Sequence, residues 1–400
     1  MLAIVLWILM FMFLVVIHEL GHFIAAKKTW VNVLEFGIWI PPKAFCWWTD
    51  STGTKYTINW LPLWWFVRLK WENPDDNETF NAADSFVTAS LWRKMIILFA
   101  GVFVNFIAAW LFFTIAFTQW VTPINVIPDN AIQWESTSYL MPTYSFLKTS
   151  GMLVWEQEVL PATVKGIGPD SLADEAWIVA GDVIQRIGTT QVSNFTLSDE
   201  LANYFWKTFD VMYTRWDEER IVSISCPQDE CVLGVSIDMW QWQQLQPVTF
   251  SWLSAVWAGW NEMVAETRLT FMILWGLVKN LTSFDKEKMK NSVNKLSWPV
   301  WIVKVWESIY NGQWIRMYIA FAGMISLALA VFNILPIPAL DGWRALGVLI
   351  QEIFQLKPEK YFIIENYFNV IFFVLLMWLW VYIILLDLVR FWWVAVPGLG

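Results

Sequence analysis

The run LAIVLWILMFMFLVVIHELGHFIAA, residues 2–26, is apolar up to residue 17 and then carries two histidines and a glutamate. A helix of about 20 residues crosses the roughly 30 Å hydrocarbon layer of a bilayer, and this run is long enough. Residues i and i+4 of a helix lie on one face, so His18 and His22 point in the same direction, with Glu19 beside them. The run therefore predicts a membrane-spanning helix that carries polar chemistry at one end.

The HELGH pattern at 18–22 is typical of zinc sites in which two histidines bind the metal and the glutamate acts as a general base. The pattern is short, but ionisable side chains inside an apolar span are costly and mark functional sites. The alternative is an interfacial helix end whose polar side chains reach the headgroups, followed by Lys27 and Lys28. That alternative does not explain the four-residue spacing, so we favour the metal site.

The composition indicates a membrane protein. Of the 400 residues, 57% are hydrophobic, and the mean hydropathy is +0.47, which is high for a soluble chain. The net charge of −9 and the lack of a basic stripe exclude nucleic acid as an expected partner. The three cysteines set no disulfide framework. Cys226 and Cys231 either pair, if their segment is extracytoplasmic, or remain free thiols.

Four segments are long enough to cross the membrane as helices: 2–26, 95–118, 317–335 and 368–389. The first lacks the basic leading region of a cleaved signal peptide. Lysines and arginines gather in the loop 26–94, which the positive-inside rule places in the cytoplasm. We therefore expect the large segment between the second and third spans on the extracytoplasmic side.

The expected fold class is a polytopic α-helical membrane protein with about four transmembrane helices, a membrane-associated β-hairpin and an inserted extracytoplasmic α+β domain. Its expected parts are the first half of a membrane core at 1–119 with the hairpin at 31–70, an extracytoplasmic segment at 120–245 with a compact domain at 151–240, amphipathic membrane-surface helices at 246–316, and the second half of the core at 317–400. The alternative for 250–282 is a fifth span, which would reverse the orientation of the later segments.

The third metal ligand is predicted outside the first span. A catalytic zinc takes three protein ligands and keeps one position open. The chain has two histidines, so the third ligand must be Asp, Glu or Cys. We expect Asp341 in NILPIPALDGW, because it comes after the third span at the predicted depth of the histidines and the prolines break the helix there. Asp387 is a rival that we expect to pair with Arg390, and Glu365 is a rival that we expect in an exposed loop.

Several motifs together resemble one family. They are HELGH at 18–22, EFGIWIPPK at 35–43, INWLPLWWFVRLKWE at 58–72, GVFVNF at 101–106 and NILPIPALDGWR at 333–344. The chain resembles the bacterial site-2 proteases, intramembrane zinc metalloproteases that include the regulator-of-sigma-E proteases. The stretch DSLADEAWIVAGDVIQRIG at 170–188 is similar to the PDZ domain that this family carries outside the membrane. The resemblance covers nearly the whole chain.

The resemblance implies a role for each matched residue. One zinc ion would be held by His18, His22 and Asp341, and Glu19 would activate the attacking water. The implied substrate-binding residues are Asn333, Pro336, Pro338 and Asn105. For Asn105, a hydrogen bond between helices is an equally open interpretation. The hairpin would match the family's membrane-inserted sheet, whose edge could pair with an unwound substrate by strand addition.

The implied function is cleavage of membrane-spanning segments in a bacterial inner membrane, with the active site near the cytoplasmic side. The implied partners are the lipid bilayer and single-pass membrane proteins, such as anti-sigma factors or remnant signal peptides, and the PDZ domain would filter these substrates. The alternative is a catalytically inactive membrane scaffold whose PDZ domain binds peptide C-termini. A metal transporter is a weaker alternative, because the sequence holds one ligand cluster without a repeat.

Tryptophan is unusually frequent and glycine unusually rare, with 32 Trp against 18 Gly. Trp177 stands where the short helix SLADEA should end in a residue of positive φ, a place that glycine prefers. The family patterns have glycine where this chain has Trp39, Trp64, Trp65, Trp71, Trp177, Trp298, Trp301 and Trp343. An aromatic belt at the membrane interface explains some of these residues but not Trp177. We therefore expect that many are glycines encoded by UGA, a codon that some bacterial lineages read as glycine.

Overall fold

In a computed structural model the chain divides into two compact units, Met1–Ile115 with Glu266–Gly400, and Ala116–Ala265. We refer to them as the membrane unit and the inserted unit. The residues described are 2–70, 82, 84–124, 126–127, 129, 132, 134, 136–152, 162–168, 171–194, 196–204, 206–226, 231–237, 246–283, 314–357 and, with gaps, 361–385.

The helices and strands are numbered here in chain order. The described helices are α1 (Leu2–Lys28), α2 (Leu91–Thr118), α3 (Tyr144–Thr149), α4 (Leu172–Glu175), α5 (Leu197–Leu201), α6 (Trp252–Thr282), α7 (Trp314–Ile334), α8 (Asp341–Ile353) and α9 (Tyr367–Leu379). The described strands are β1 (Val33–Thr49), β2 (Lys55–Leu69), β3 (Ala162–Ile167), β4 (Val183–Ile187), β5 (Thr190–Gln191), β6 (Thr208–Arg215), β7 (Glu218–Ser225) and β8 (Val235–Ile237).

Three described helices are long and apolar enough to cross a membrane: Val5–Lys28 of α1, all of α2, and Met317–Ile334 of α7. The first three predicted spans are therefore confirmed as apolar helices. The fourth, at 368–389, is described only in part, and the shorter apolar helix α9 lies there. The stretch 250–282 forms α6, which falls outside this set and carries two buried carboxylates, Glu262 and Glu266. The predicted helices at 284–313 lie outside the described residues.

The helices α1 and α2 approach closely because glycine occupies the contact. A Cβ atom at Gly21 would lie 2.6 Å from the carbonyl oxygen of Ala100, a distance that no real side chain tolerates. Gly21 belongs to the HELGH motif, so this contact sets the histidine-bearing turn of α1 against α2. On another side, α1 packs its buried residues Met10 and Leu14 against Phe321 of α7.

The strands β1 and β2 form an antiparallel hairpin inside the predicted range 31–70. The turn between them is closed by Asp50, whose carboxylate accepts hydrogen bonds from the amides of Thr52 and Thr54 at 2.9 Å each. Lys27, at the end of α1, lies 3.0 Å from the same carboxylate. Burial raises the pKa of Asp50, but hydrogen bonds from Thr52 and Lys27 outweigh it and hold this pKa well below its usual range. This ion pair connects the hairpin to α1, the helix that carries the HELGH motif.

The inserted unit is an α+β domain. Its six-stranded antiparallel sheet has the order β7-β6-β4-β3-β8, with β5 paired to β4. The short helices α4 and α5 contribute Ala173, Leu197 and Leu201 to the buried core of this sheet. Cys226 and Cys231 form a disulfide between β7 and β8, so the pairing that the sequence left open is present in the structure.

A buried ion pair joins two parts of the inserted unit. The carboxylate of Asp182, at the start of β4, receives two hydrogen bonds from Arg215 at 2.7 Å each and one from the amide of Val179 at 2.8 Å. The Asp182 side chain is 1% exposed. Burial by itself raises the pKa of this carboxyl, but the hydrogen bonds from Arg215 and Val179 outweigh it and hold the pKa below its usual range.

Tryptophan dominates the unusual backbone conformations. Eight described non-glycine residues have a positive φ, and five of them are tryptophan. They are Trp30 (64°), Trp39 (69°), Trp177 (56°), Trp206 (63°) and Trp216 (54°). A bulky side chain is strained in this region, which glycine enters freely. The sequence singled out Trp39 and Trp177, but not the other three. The side chain of Trp216 is 91% exposed, so no packing compensates for the strain there.

We predict that Asp182→Asn lowers the free energy of unfolding of the inserted unit by about 3 kcal/mol. This is the lower end of the usual cost of breaking a buried ion pair, and we expect it because Arg215 keeps some contact with water. The stabilisation is present above the unfolded-state pKa of about 3.9 and is lost as pH falls through the lower folded pKa. Hydrogen exchange of β4 and β6 in the full chain, measured from pH 7 to pH 3, reports both effects.

The matched control is Glu218→Gln, which breaks the exposed pair with Arg220 in the same sheet. Exposed pairs contribute less than about 1 kcal/mol, so this variant should exchange like the wild type. Equal exchange in the Asp182 and Glu218 variants would contradict the prediction.

Candidate metal centre

Three side chains far apart in sequence meet in the membrane unit. Nε2 of His18 lies 2.9 Å from Oδ2 of Asp341, and Nε2 of His22 lies 3.3 Å from the same oxygen. The two Nε2 atoms lie 3.2 Å from each other. The two histidines are buried and Asp341 is partly exposed, with 22% of its side chain accessible. Within the described part of the chain, this is the cluster of three or more potential ligands that could hold a metal ion.

Local structure explains why Asp341 reaches the histidines. Pro336 and Pro338 come after the end of α7, where proline cannot continue the helix ladder. The chain turns through Ala339, which has a φ of 73° and donates its amide to Oδ1 of Asn369 at 2.9 Å. Asp341 is then the first residue of α8. Gly342 beside it is required, since a Cβ atom there would lie 2.3 Å from the carbonyl oxygen of Ile334.

The donor set fits a zinc ion. Zinc takes imidazole nitrogens and carboxylate oxygens at about 2.0–2.1 Å, so neighbouring ligand atoms of a tetrahedral site lie about 3.3 Å apart. The three measured separations, 2.9, 3.2 and 3.3 Å, are of this size. Three protein ligands also leave the fourth position open, as in catalytic zinc sites.

Both histidines have a second polar partner on α2. Nδ1 of His22 lies 2.8 Å from the carbonyl oxygen of Ile97. Nδ1 of His18 lies 3.2 Å from Nδ2 of Asn105. Gly101 lies between these partners, and a Cβ atom there would be 2.4 Å from Nε2 of His22 and 2.9 Å from Nε2 of His18. The sequence did not indicate the roles of Ile97, Gly101 or Asn369. Ile97 and Gly101 are spaced four residues apart on α2, which would have placed them on the same helix face as Asn105.

The other predicted site residues lie on α1, on α2 and around the end of α7. Glu19 is partly exposed on α1, next to His18 in sequence. Asn333 is partly buried in the last turn of α7, and Pro336 and Pro338 lie in the loop before Asp341. Asn105 is fully buried against His18. The structure thus brings Asn105 to the histidines.

One prediction about the rival ligands is wrong. Glu365 was expected in an exposed loop, but it is 4% exposed and pairs with Arg344, its Oε1 lying 3.9 Å from Nε of that residue. Tertiary packing against α8, which the local sequence does not reveal, buries this carboxylate. The other rival, Asp387, lies outside the described residues.

The site has two imidazoles and a carboxylate, and the imidazoles belong to an HELGH motif at the end of an apolar helix. This combination is typical of zinc hydrolases. The chain belongs to peptidase family M50, whose model matches residues 6–379. The chain is thus a metalloprotease, its cofactor is zinc, and three apolar helices make it a membrane protein.

The relatives agree with this family. A protein of Helicobacter pylori strain J99 is 26% identical over 87% of this chain and 89% of its own length. One from Nostoc is 25% identical over 84% of this chain and 83% of its own, and one from Streptococcus pneumoniae R6 is 26% identical over 90% and 92%. Each is named as a candidate zinc metalloprotease. A solved aminopeptidase N family protein of Idiomarina loihiensis covers 32% of the chain at a TM-score of 0.16, too low to support an argument.

We predict that Gly101→Ala prevents zinc binding, because the added methyl group would occupy the space beside both Nε2 atoms. Metal analysis of the purified protein should show zinc falling from near one ion per chain to near zero while the helix content is unchanged. Gly276→Ala on α6 is the control, since an added Cβ there would have no atom of the described residues within 4 Å. Full zinc content in the Gly101 variant would contradict the prediction that the methyl group and the metal compete for this space.

Proposed function

We propose that this metalloprotease cuts membrane-spanning segments of other membrane proteins within or near the bilayer. The observation that carries the proposal is the depth of the cluster formed by His18, His22 and Asp341. At 1.5 Å per residue, His18 lies about 20 Å along the helix from Val5, whereas Lys28 lies only about 9 Å beyond His22. A site inside the apolar span, near its basic end, suits a peptide bond that is itself in the membrane.

In this proposal His18, His22 and Asp341 hold the zinc ion. Zinc supplies a Lewis acid that polarises the scissile carbonyl and makes water easier to deprotonate. Glu19 takes the proton from the attacking water and delivers it to the leaving amide nitrogen, as a general base and then a general acid. The open side of Asp341, 22% exposed, offers the approach for substrate.

The substrate is proposed to be a single-pass protein, such as an anti-sigma factor or a remnant signal peptide. A helical span hides its amides in backbone hydrogen bonds, so it must unwind before water can attack. The exposed edge of the β1–β2 hairpin could pair with the unwound segment by strand addition. Asn333, Pro336 and Pro338 lie in or next to the loop that carries Asp341, which suits the substrate contacts expected of them.

We place the loop 26–94 in the cytoplasm and the inserted unit on the extracytoplasmic side of a bacterial inner membrane. The lysines and arginines of the loop support this orientation through the positive-inside rule. The Cys226–Cys231 disulfide supports it independently, because disulfides persist in oxidising compartments.

The inserted unit is proposed to act as a PDZ-like filter for substrates. A cavity of about 250 Å³ is lined by α5, β8 and the segment before β8. Since β8 ends the sheet order, its outer edge can accept a peptide strand. This cavity also supports the second candidate function, an inactive scaffold that binds peptide C-termini.

We propose further that many of the tryptophans are glycine in the organism, because their codon is UGA. Five tryptophans with positive φ support this proposal. Such a conformation costs a non-glycine residue about 1–2 kcal/mol, so five of them would be an unusual burden on a marginally stable fold.

We predict that Glu19→Gln keeps zinc but loses cleavage of a model transmembrane substrate in liposomes, by about 10²–10⁴-fold, the usual contribution of a general base. His18→Ala should lose both zinc and cleavage. If the wild type holds zinc normally but cleaves no substrate, whichever way the substrate is oriented in the liposome, the inactive scaffold would be favoured.

We predict UGA codons at Trp177 and Trp216, and UGG codons there would contradict the proposal. In a protein made with tryptophan at both positions, Trp177→Gly and Trp216→Gly should each raise the free energy of unfolding by about 1 kcal/mol. Trp257→Gly is the control, because this exposed tryptophan lies inside α6, where glycine costs about 1 kcal/mol. Urea unfolding of the three variants measures the free energy of unfolding, which should rise for Trp177→Gly and Trp216→Gly and fall for Trp257→Gly.

A further inference from the structure

We propose that Asn105 is a positioning residue for His18: its carboxamide oxygen accepts a hydrogen bond from Nδ1–H of His18 and so presents Nε2 to zinc. This inference rests on the ligand set proposed above. It gives Asn105 a role behind the metal ligand, in place of the substrate contact that the resemblance implied.

The geometry is a direct contact between two buried side chains. Nδ2 of Asn105 lies 3.2 Å from Nδ1 of His18. Asn105 is 0% exposed and His18 is 7% exposed. The backbone of Asn105 is fixed in turn, because its carbonyl oxygen accepts a hydrogen bond from the hydroxyl of Ser326 on α7 at 2.9 Å. Asn105 therefore has a fixed position from which to act on the imidazole.

The chemistry of imidazole decides which amide atom must face His18. A neutral imidazole has one N–H donor and one lone pair. When Nε2 gives its lone pair to a metal, Nδ1 carries the proton and can only donate. The NH₂ group of an amide also only donates, whereas its oxygen accepts. With zinc bound, the partner of Nδ1 is therefore Oδ1, which a half-turn of the carboxamide brings to the same place.

A second observation points the same way. Oδ1 of Asn105 is buried and has no hydrogen-bond partner among the residues that the structure describes. With Nδ1 of His18 protonated, the present orientation would set two donors against each other and leave this acceptor unpaired. The half-turn removes the repulsion and gives the oxygen its partner.

His22 shows the same arrangement without ambiguity. Its Nδ1 lies 2.8 Å from the backbone carbonyl of Ile97, an atom that can only accept. Nδ1 of His22 must therefore carry a proton, and in the neutral ring Nε2 then offers its lone pair. Ile97, Gly101 and Asn105 are four residues apart, so they share one face of α2. On that face, Ile97 and Asn105 each supply a hydrogen-bond acceptor for one imidazole, and Gly101 between them leaves space for the rings.

The test measures metal binding in the full-length protein, not activity alone. Asn105→Leu removes the acceptor at similar volume, and loss of such an outer partner lowers metal affinity roughly 10–100-fold. The zinc affinity, from competition with a chelator, should fall by this factor, and the visible spectrum of the cobalt-substituted protein should change. Asn105→Asp keeps an acceptor and should restore the affinity to within a few-fold of wild type.

Thr114→Val is the matched control, because Thr114 is buried on the same helix and its hydroxyl has no hydrogen-bond partner within the described part of the chain. It should leave zinc affinity and the cobalt spectrum unchanged. Unchanged zinc affinity in Asn105→Leu, with loss of zinc in His18→Ala, would overturn this inference alone. Unchanged affinity in His18→Ala would instead overturn the proposed ligand set.

The wild type supplies a measurement that does not depend on how Asn105→Leu folds. The chain has two histidines, so nitrogen-15 labelling of histidine gives a simple spectrum. With zinc bound, both Nδ1 atoms should carry a proton, and that of His18 should show a hydrogen-bond coupling to the Asn105 carboxamide. An unprotonated Nδ1 on His18, or a proton without that coupling, would overturn the proposal.

Discussion

The two imidazoles near the end of the apolar helix α1 lie beside the carboxylate of Asp341 at the start of α8, and burying such groups is costly unless they are paired or bind a metal. The structure meets this constraint by bringing His18, His22 and Asp341 within 3.3 Å of one another. The close approach of α1 to α2 at Gly21 sets the turn of α1 that carries both histidines against α2. The loop between α7 and α8 then delivers the carboxylate, because its prolines end one helix and Asp341 begins the next.

The helix α2 contributes no proposed ligand, yet it contacts both histidines that are proposed to bind zinc. Its glycine at 101 leaves space beside both Nε2 atoms. The carbonyl of Ile97 and the side chain of Asn105 contact the opposite nitrogen of each ring. Outer partners of this kind fix the orientation and tautomer of metal-binding histidines. In the proposed centre, α2 would therefore orient both histidines without binding the metal itself.

Much of this arrangement can be predicted from the sequence, because the signals are local. The apolar run and the four-residue spacing of His18 and His22 are properties of one helix, and Asp341 is indicated by the breaks after α7. The contacts made by Ile97 and Asn105 depend on how α1 and α2 pack together, which a single sequence does not specify. Glu365 was misjudged for the same reason, since its burial beside Arg344 arises from packing. The strain at Trp216 could not be predicted from the sequence, and it is seen in the structure as a positive φ.

X-ray absorption at the zinc edge of the loaded protein tests most directly whether two histidines and one aspartate bind the metal. The proposed ligands predict a shell of nitrogen and oxygen atoms only, at about 2.0–2.1 Å, with two imidazoles in it. In the Asp341→Ala variant that shell should lose an oxygen, or the protein should lose its zinc. A sulfur atom at about 2.3 Å, from the exposed free Cys46, or an unchanged spectrum in the variant, would contradict the account.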